Sequence, residues 1–411
     1  MTKLIQTLRV RRDAKSDAKS NSLDEKTIVL GVTGSIAAVR TIELARELIR
    51  HGAKVFAVMT SSAQKILHSN ALQYATGNKV ITEITGRVEH VEFCGIDGIA
   101  DLLLIAPCTA NTIGKIANGI DDTPITTFAT TALGSGTPIM IVPAMHQSMY
   151  DHPIILENIK KLKELGVYFL EPKIEEKKAK IPDNSEIVLH VERLLYDKRL
   201  PKKILITSGA TIEYIDPIRI LTNRSSGKTG IELAKEAYRR GAEVVIVHRN
   251  RIGLDRIKIK EIFVETANDM LDAVLTELKN KDYDILISVA AISDYTLDME
   301  KEKIKSGLDL TLKLKPTPKL IKVVREKYPN LKIIGFKAET NVSKEELIKR
   351  AKNAMIKYQL DLMVANDVGG GGIGTEDNEV YIIGDQIDHV KGSKKKIAIA
   401  ILDRINFFCQ D

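Results

Sequence analysis

The sequence predicts an α/β protein built from two successive doubly wound units, and three observations lead there. Short apolar runs of strand length alternate with stretches of helical period, the pattern of β-α-β units with parallel strands. The alternation breaks once, at a charged stretch near the middle, and then restarts. One joint also recurs: Glu43-Leu-Ala-Arg-Glu-Leu-Ile-Arg-His-Gly-Ala-Lys-Val55 is echoed by Glu232-Leu-Ala-Lys-Glu-Ala-Tyr-Arg-Arg-Gly-Ala-Glu-Val244. Each copy is a helix closed by glycine, which suits the left-handed position after a helix, and each then enters a strand. Doubly wound folds use such joints generally, so the echo favours two Rossmann-like halves over a duplication.

In chain order, residues 1–26 alternate charges without an apolar face and read as a mobile tail. Runs 27–32, 54–59, 101–106 and 138–143 read as buried strands. Between the first two, 39–51 sets Ile42, Ala45, Leu48 and Ile49 on one helical face. The Glu- and Lys-rich 171–180 reads as an exposed loop, 187–196 as a helix and 197–202 as a linker. New strands are expected at 203–208, 243–247, 285–289, 333–336, 362–365 and 379–383. The domains are therefore 27–196 and 197–411.

The bulk numbers agree with a protein of two or three ordinary domains: 411 residues, 44% apolar and 28% charged. No apolar run reaches the roughly 18 residues that a membrane crossing needs. The polar beginning lacks the apolar stretch of a secretory signal. Cys94, Cys108 and Cys409 form no CxxC pair or disulfide framework, which suits a reducing, cytoplasmic location. The net charge of +7 is spread along the chain, and aromatics are 5% with no Trp. No nucleic-acid or membrane partner is expected, and anionic small molecules explain the local basic groups.

In the second half, strand 203–208 runs into Ser208-Gly-Ala-Thr-Ile-Glu213, where open α/β sheets hold ligands. There is no GxGxxG, so an ordinary dinucleotide site is not indicated. Asp216-Pro-Ile-Arg-Ile-Leu-Thr-Asn-Arg-Ser-Ser-Gly-Lys-Thr-Gly230 leads into a helix at 231–240. Ser225, Ser226 and Gly227 there suit a phosphate or carboxylate, and Lys228 adds a charge. A plain cap with a solvated lysine fits the same residues.

Together these segments resemble the phosphopantothenoylcysteine synthetase family. The match also includes Ala290-Ala-Ile-Ser-Asp-Tyr295, Lys303-Ile-Lys305, Gly335-Phe-Lys-Ala-Glu-Thr340, Val364-Ala-Asn-Asp-Val368 and Asp377-Asn-Glu-Val380, in family order across nearly all of 202–411. The resemblance implies ligation of 4′-phosphopantothenate to cysteine, with CTP as activator, Mg²⁺ on its phosphates and an acyl-cytidylate intermediate. It implies that Asp294, Lys303 and Phe336 bind the nucleotide, joined by Lys357. Ser288, Val289, Ala290, Ile333, Ile334 and Gly335 would line that site. Asn223 would hold the acyl-cytidylate and Arg219 would support its loop. A carboxylate must become an anhydride before an amine attacks it, and a lysine offsets the phosphate charge. Glycines at 369–372 and 374 suggest a lid that excludes water.

In the first half, Gly31-Val-Thr-Gly-Ser-Ile-Ala-Ala38 ends a strand and opens a helix, as either a phosphate site or a tight turn. Thr60, the 106–115 segment and Pro143-Ala-Met-His-Gln-Ser-Met-Tyr150 end the other strands. A ligand across that sheet edge explains all four better than independent turns. The set resembles the flavin-containing cysteine decarboxylases over about 27–182. FMN is then implied, held by Gly34, Ser35, Thr60, Ala106, Pro107, Thr109, Ala110, Asn111 and Thr112. His90, in Val88-Glu-His-Val-Glu92, matches the family's active-site histidine; by itself it also reads as a surface residue. Met145 and His146 would meet the substrate. The family has Asn where His146 stands, and its flap cysteine has no counterpart in 171–182, so the substitute acid is expected to be Lys178, Lys180 or water.

The chain thus resembles the bifunctional phosphopantothenoylcysteine decarboxylase/phosphopantothenate–cysteine ligase family, with a flavodoxin-like flavin-binding domain before a doubly wound ligase domain. A ligase with an impaired flavin domain is the alternative reading. The resemblance also implies a homo-oligomer, with trimeric flavin domains and dimeric ligase domains closing into a dodecamer.

Overall fold

The computed structural model describes residues 21–197, 199–200, 202–307, 309–369, 375 and 377–408, and of Asp255 and Phe408 the backbone alone. The chain divides after Asp197 into two units. The strands of the first are β1 (Thr27–Val32), β2 (Lys54–Met59), β3 (Leu102–Cys108), β4 (Ile139–Pro143), β5 (Met145–His146), β6 (Tyr168–Phe169), β7 (Lys173–Glu175) and β8 (Lys178–Lys180). Five of them form a parallel sheet in the order β2-β1-β3-β4-β6. That is the flavodoxin-like arrangement, with its switch point between β1 and β3.

The apolar runs are continuous because both faces of this sheet are covered. Side chains alternate between the faces. Leu30, Leu102 and Leu104 pack with Leu44 and Leu48 of the helix Thr41–Arg50. Val29, Leu103 and Ile105 pack with Ile113 and Phe128 on the other side. Truncating one of these leucines to alanine costs about 2–5 kcal/mol.

Two expectations are corrected here. Residues 21–26 are not a tail: Leu23 is fully buried and its N–H donates to the His51 carbonyl at 2.8 Å. A single apolar residue anchors a charged segment, too little for a periodicity to register. The rest of the expected tail lies outside the described residues. Nor is 171–180 an open loop. β7 and β8 form a hairpin that β5 extends, in the order β5-β8-β7. Its turn places Glu176 and Lys177 at φ of 51° and 58°, a left-handed pair that usually calls for Asn-Gly. The charged sequence hid it.

The second unit contains β9 (Lys203–Ser208), β10 (Ile212–Tyr214), β11 (Ile220–Thr222), β12 (Glu243–His248), β13 (Lys260–Phe263), β14 (Ile285–Ser288), β15 (Tyr295–Thr296), β16 (Lys315–Pro316), β17 (Lys332–Glu339), β18 (Leu362–Asp367), β19 (Asp377–Ile383) and β20 (Ile387–Ser393). Its eight-stranded sheet runs β13-β12-β9-β14-β17-β18-β19-β20. The first six strands are parallel, in the doubly wound 3-2-1-4-5-6 order, and β19 and β20 continue antiparallel. The helix Lys394–Phe408 packs on the helix Lys228–Arg239, where fully buried Arg240 meets Glu236 at 2.9 Å and Asp403 at 2.9 Å. No helix among the described residues is long and apolar enough to cross a membrane.

Candidate functional site

At the switch point of the first sheet, the loops after β1 and β3 are stitched together by Thr33. Its hydroxyl donates to the Pro107 carbonyl at 2.9 Å and accepts the Thr109 N–H at 3.0 Å. Thr33 lay inside a recognised motif, yet its role becomes visible only when two sequence-distant loops meet. Three side chains then cap the short helices at this edge. Ser35 accepts from Ala37 N–H at 3.4 Å, Thr60 from Ala63 at 3.1 Å and Thr109 from Thr112 at 3.4 Å. Each such cap contributes about 1 kcal/mol. The remaining first-turn amides are left for an anion.

Gly34 faces Ser62, in the short helix Ser61–Gln64 after β2, so closely that a Cβ on it would lie 2.5 Å from the serine Cβ. Ile36 is 78% exposed, an apolar surface close to Gly34 in sequence. Thr112 and Ala110 are buried, while Asn111 is exposed. Ala106 is not at the edge by its side chain: it is fully buried in the core.

His90 lies in the short helix Glu89–Cys94, and its Nδ1 is buried without a hydrogen-bond partner. The helix start is fixed by Glu89, whose carboxylate accepts the Thr85 N–H at 3.0 Å and hydroxyl at 2.6 Å. An imidazole nitrogen withdrawn from water with nothing to bond is poised for a ligand or proton. Cys94 and Cys108 are buried, and burial pushes the Cys94 thiol up to about 12 and the Cys108 thiol higher still.

The hairpin brings two candidate residues together: His146 of β5 stands opposite Lys178 of β8, and Met145 opposite buried Ala179. Lys180 instead bonds Glu176 at 2.8 Å. That hydrogen bond and the charges of Glu176 and Glu175 hold the Lys180 ammonium above its ordinary pKa, making it a weaker acid. A larger hollow of about 520 Å³, lined by Val91, Ile96, Asp97 and Thr131 among others, opens near the other end of the sheet, where the chain approaches the start of β3 and β4. It holds none of the chemistry of the strand-end loops, and we assign the site to those loops.

In the second unit a cavity of about 190 Å³ lies at the switch point between β9 and β14. Ser225, Ser226, Gly227 and Lys228, at the start of the helix Lys228–Arg239, form one wall. Val289, Ala290, Ala291 and Phe336 form another, and Asn366, Asn378 and Lys394 close the third. Lys394 was missed by the sequence reading, because a lysine opening a C-terminal helix carries no motif. Asn366 and Asn378 sat in recognised segments without an assigned role; they meet at 3.3 Å.

Asn223 stands at the rim, its side-chain amide donating to the Ala291 carbonyl at 3.0 Å. Arg219 pairs with buried Asp216 and donates to the Ile304 carbonyl at 3.1 Å. Lys303, next in sequence to Ile304, is exposed, and exposed Asp294 pairs with Lys319. Four expected lining residues are not on the cavity wall. Ile333 and Ile334 are buried within β17, and a Cβ on Gly335 would meet Leu360 at 2.6 Å, since continuous apolar strands face helices on both sides. Ser288 is likewise buried at the end of β14. Lys357 ends the helix Lys344–Lys357, which runs back from β17 to the start of β18. It therefore sits at the edge opposite the cavity, its ammonium 5.4 Å from the Tyr358 ring. Of the glycine-rich lid, 370–374 lies outside the described residues.

Comparison with known proteins places both units in one family. The flavoprotein family model matches residues 16–196, and the model of the DNA/pantothenate metabolism flavoprotein C-terminal domain matches 200–408. The coenzyme A biosynthesis bifunctional protein CoaBC of Thermococcus kodakarensis is 53% identical over 369 residues, covering 89% of this chain and 91% of the relative. The chain belongs to the CoaBC family. The Methanocaldococcus jannaschii CoaBC protein is 42% identical over 94% of this chain and 95% of its own. A crystal structure of the DNA/pantothenate metabolism flavoprotein from Streptococcus pneumoniae, 28% identical, covers 50% of this chain and 99% of its own with a TM-score of 0.44. As a CoaBC-family member the chain is a bifunctional enzyme of coenzyme A biosynthesis. Its flavoprotein half is a phosphopantothenoylcysteine decarboxylase and its C-terminal half a phosphopantothenate–cysteine ligase.

Proposed function

We propose that the second unit ligates 4′-phosphopantothenate to cysteine with CTP, through an acyl-cytidylate. The observation that carries this is the switch-point cavity, where a helix start bearing Ser225, Ser226 and Lys228 faces Ala290 and Phe336, with Lys394 opposite. Helix amides and two ammonium groups suit a polyphosphate, and the Phe336 ring suits a base or ribose face. Asn223 at the rim offers a donor and an acceptor to an acyl-phosphate without acting as a nucleophile. Lys303 on its exposed segment would neutralise phosphate charge. Among the described residues no group of three or more His, Cys, Asp or Glu could hold a metal. Mg²⁺ commonly binds through substrate phosphates with few protein ligands, and the nucleotide would carry it here.

The first unit, in this reading, binds FMN without a covalent link at the edge formed by Gly34, Ser35, Thr60 and the 109–112 turn. The free first-turn amides suit its phosphate, and exposed Ile36 suits an apolar ring. When bound, FMN supplies the two-electron oxidation of the substrate thiol and its later reversal. His90 accepts a proton with its unpartnered nitrogen. His146 holds the substrate carboxylate by an N–H, and Lys178 opposite it supplies the proton that the family's flap cysteine would give. Lys180, tied to Glu176, is the lesser candidate. The family resemblance also supports trimeric first units and dimeric second units.

Mass spectrometry of the purified protein with 4′-phosphopantothenate, cysteine and each nucleoside triphosphate tests both halves. With CTP we expect phosphopantothenoylcysteine and then 4′-phosphopantetheine. His146 and the cysteine-free flap favour one second reading, an impaired flavin half. Accumulation of phosphopantothenoylcysteine with no phosphopantetheine would select it.

A further inference from the structure

Asp216 is a carboxylate with no exposed surface, in a loop that otherwise faces solvent. The hydrogen bonds of its carboxylate go to two segments. Its Oδ1 accepts the Ile218 N–H at 2.8 Å and the Arg219 N–H at 2.7 Å, closing the turn between β10 and β11. Its Oδ2 accepts the Arg219 guanidinium and, across 88 positions of sequence, the Ile304 N–H at 3.1 Å. The Arg219 guanidinium returns to the Ile304 carbonyl at 3.1 Å, so Asp216 and Arg219 together grip both polar groups of one peptide residue. The residue before Ile304 is Lys303.

The same hairpin is tied a second time. Glu300 N–H donates to the Ile215 carbonyl at 3.0 Å, and at the hairpin base Asn223 reaches the Ala291 carbonyl at 3.0 Å. The strand pair carrying Asn223 and the 291–304 segment carrying Lys303 therefore touch at both ends. Lys303 itself is exposed on a stretch without regular structure. A buried carboxylate with four donors is costly to disturb, because losing its charge or shape strands those donors without partners.

We infer that Asp216 is a positioning residue for ligation, coupling the Asn223 hairpin to the backbone beside Lys303 so that both side chains are presented to the substrate together. It touches no reacting atom. It acts through Lys303 and Asn223, and the inference rests on the roles given to those two residues above.

The test uses the full-length protein with CTP, 4′-phosphopantothenate and cysteine. Asp216→Asn keeps the shape but turns one oxygen into a donor facing donors. We expect kcat for ligation to fall roughly 10- to 100-fold, the scale of a misplaced catalytic group, with KM for cysteine little changed. Decarboxylation of supplied phosphopantothenoylcysteine should stay within about twofold of wild type, since the first unit is untouched. The diagnostic readout is a double-mutant cycle with Lys303→Gln. If Asp216 works through Lys303, Asp216→Asn costs less than about threefold in the Lys303→Gln background, whereas a general loosening of the fold multiplies the two losses. Multiplied losses, or an Asp216→Asn variant that ligates within twofold of wild type, overturn the inference. If Asp216→Asn does not fold, Asp216→Glu keeps the charge but displaces the carboxylate by one methylene, and the same cycle is read with it. A wild-type protein that makes no phosphopantothenoylcysteine with any nucleoside triphosphate would instead sink the functional reading itself.

Discussion

The most informative single side chains are those whose environment contradicts their ordinary behaviour. His90 keeps a buried nitrogen with no partner, while both described cysteines are sealed in the core with their thiols pushed up by burial. A thiol that is neither accessible nor acidic cannot replace the missing flap cysteine. His90→Asn should therefore lower decarboxylation by about 10²-fold or more, the range for a lost acid–base group, while ligation continues. Cys94→Ala and Cys108→Ala should each leave the decarboxylation rate within about threefold in any variant that retains flavin, read by phosphopantetheine formation. Asp216 predicts a pH effect at the same scale. Burial alone would raise its pKa, but the Ile218, Ile304 and Arg219 amides and the Arg219 guanidinium overcome this and hold it at about 2, below the ordinary 3.8. A group lowered on folding stabilises the fold above its unfolded pKa and loses that contribution as pH falls toward its folded value. Acid unfolding of the second unit between pH 3.8 and about 2 should then be steeper in wild type than in Asp216→Asn, followed by circular dichroism. Equal slopes would mean that folding does not lower the carboxyl's pKa.

At the scale of elements, the close packing of strand-end loops decides whether ligands fit. At Gly34 and Gly230, each beside a strand-end loop, a methyl group has nowhere to go. On Gly34 it meets the Ser62 Cβ at 2.5 Å, and on Gly230 it meets the Ser208 side chain at 2.2 Å. Gly34→Ala should push the short helix after β2 away, costing about 1–3 kcal/mol and most of the bound flavin, seen as loss of absorbance in the visible range. Gly230→Ala should lift the helix Lys228–Arg239 from the end of β9 and weaken nucleotide binding, with the flavin band intact. The long parallel strands were legible from sequence because runs such as 27–32 and 285–288 are mostly apolar and buried throughout, as double-sided burial demands. The edge strands Lys260–Phe263 and Ile387–Ser393 were not, since each mixes exposed and covered residues and pairs with a partner distant from any motif. The flap hairpin failed for a different reason: its turn lacks glycine and its strands are mostly charged. In the sites, motif residues such as Asn223 and Phe336 were legible, but Lys394 and Asp216 acquire meaning only from partners about 19 and 88 positions away.

Over the whole chain, each unit has a sheet of its own and a core of its own, built from different residues. Among the described residues these apolar clusters are each made of one unit's own side chains, which favours independent folding. The two chemistries also need different things, a flavin edge in one unit and a nucleotide cavity in the other. We therefore expect residues 1–197 and 198–411 to fold when produced separately. The first should be yellow and convert supplied phosphopantothenoylcysteine. The second should ligate with kcat within about threefold of the whole chain. The symmetry proposed for the halves makes the experiment sharper. A trimeric first unit and a dimeric second unit joined in one chain close into twelve copies, about 550 kDa for a 45.6 kDa chain, because the two kinds of axis together generate a cubic point group. Light scattering should give three chains for the first half, two for the second and twelve for the intact protein. Separated halves that stay monomeric while the whole chain assembles would mean that each half's interface depends on the other. A second half that folds but does not ligate would mean that residues of the first complete its site.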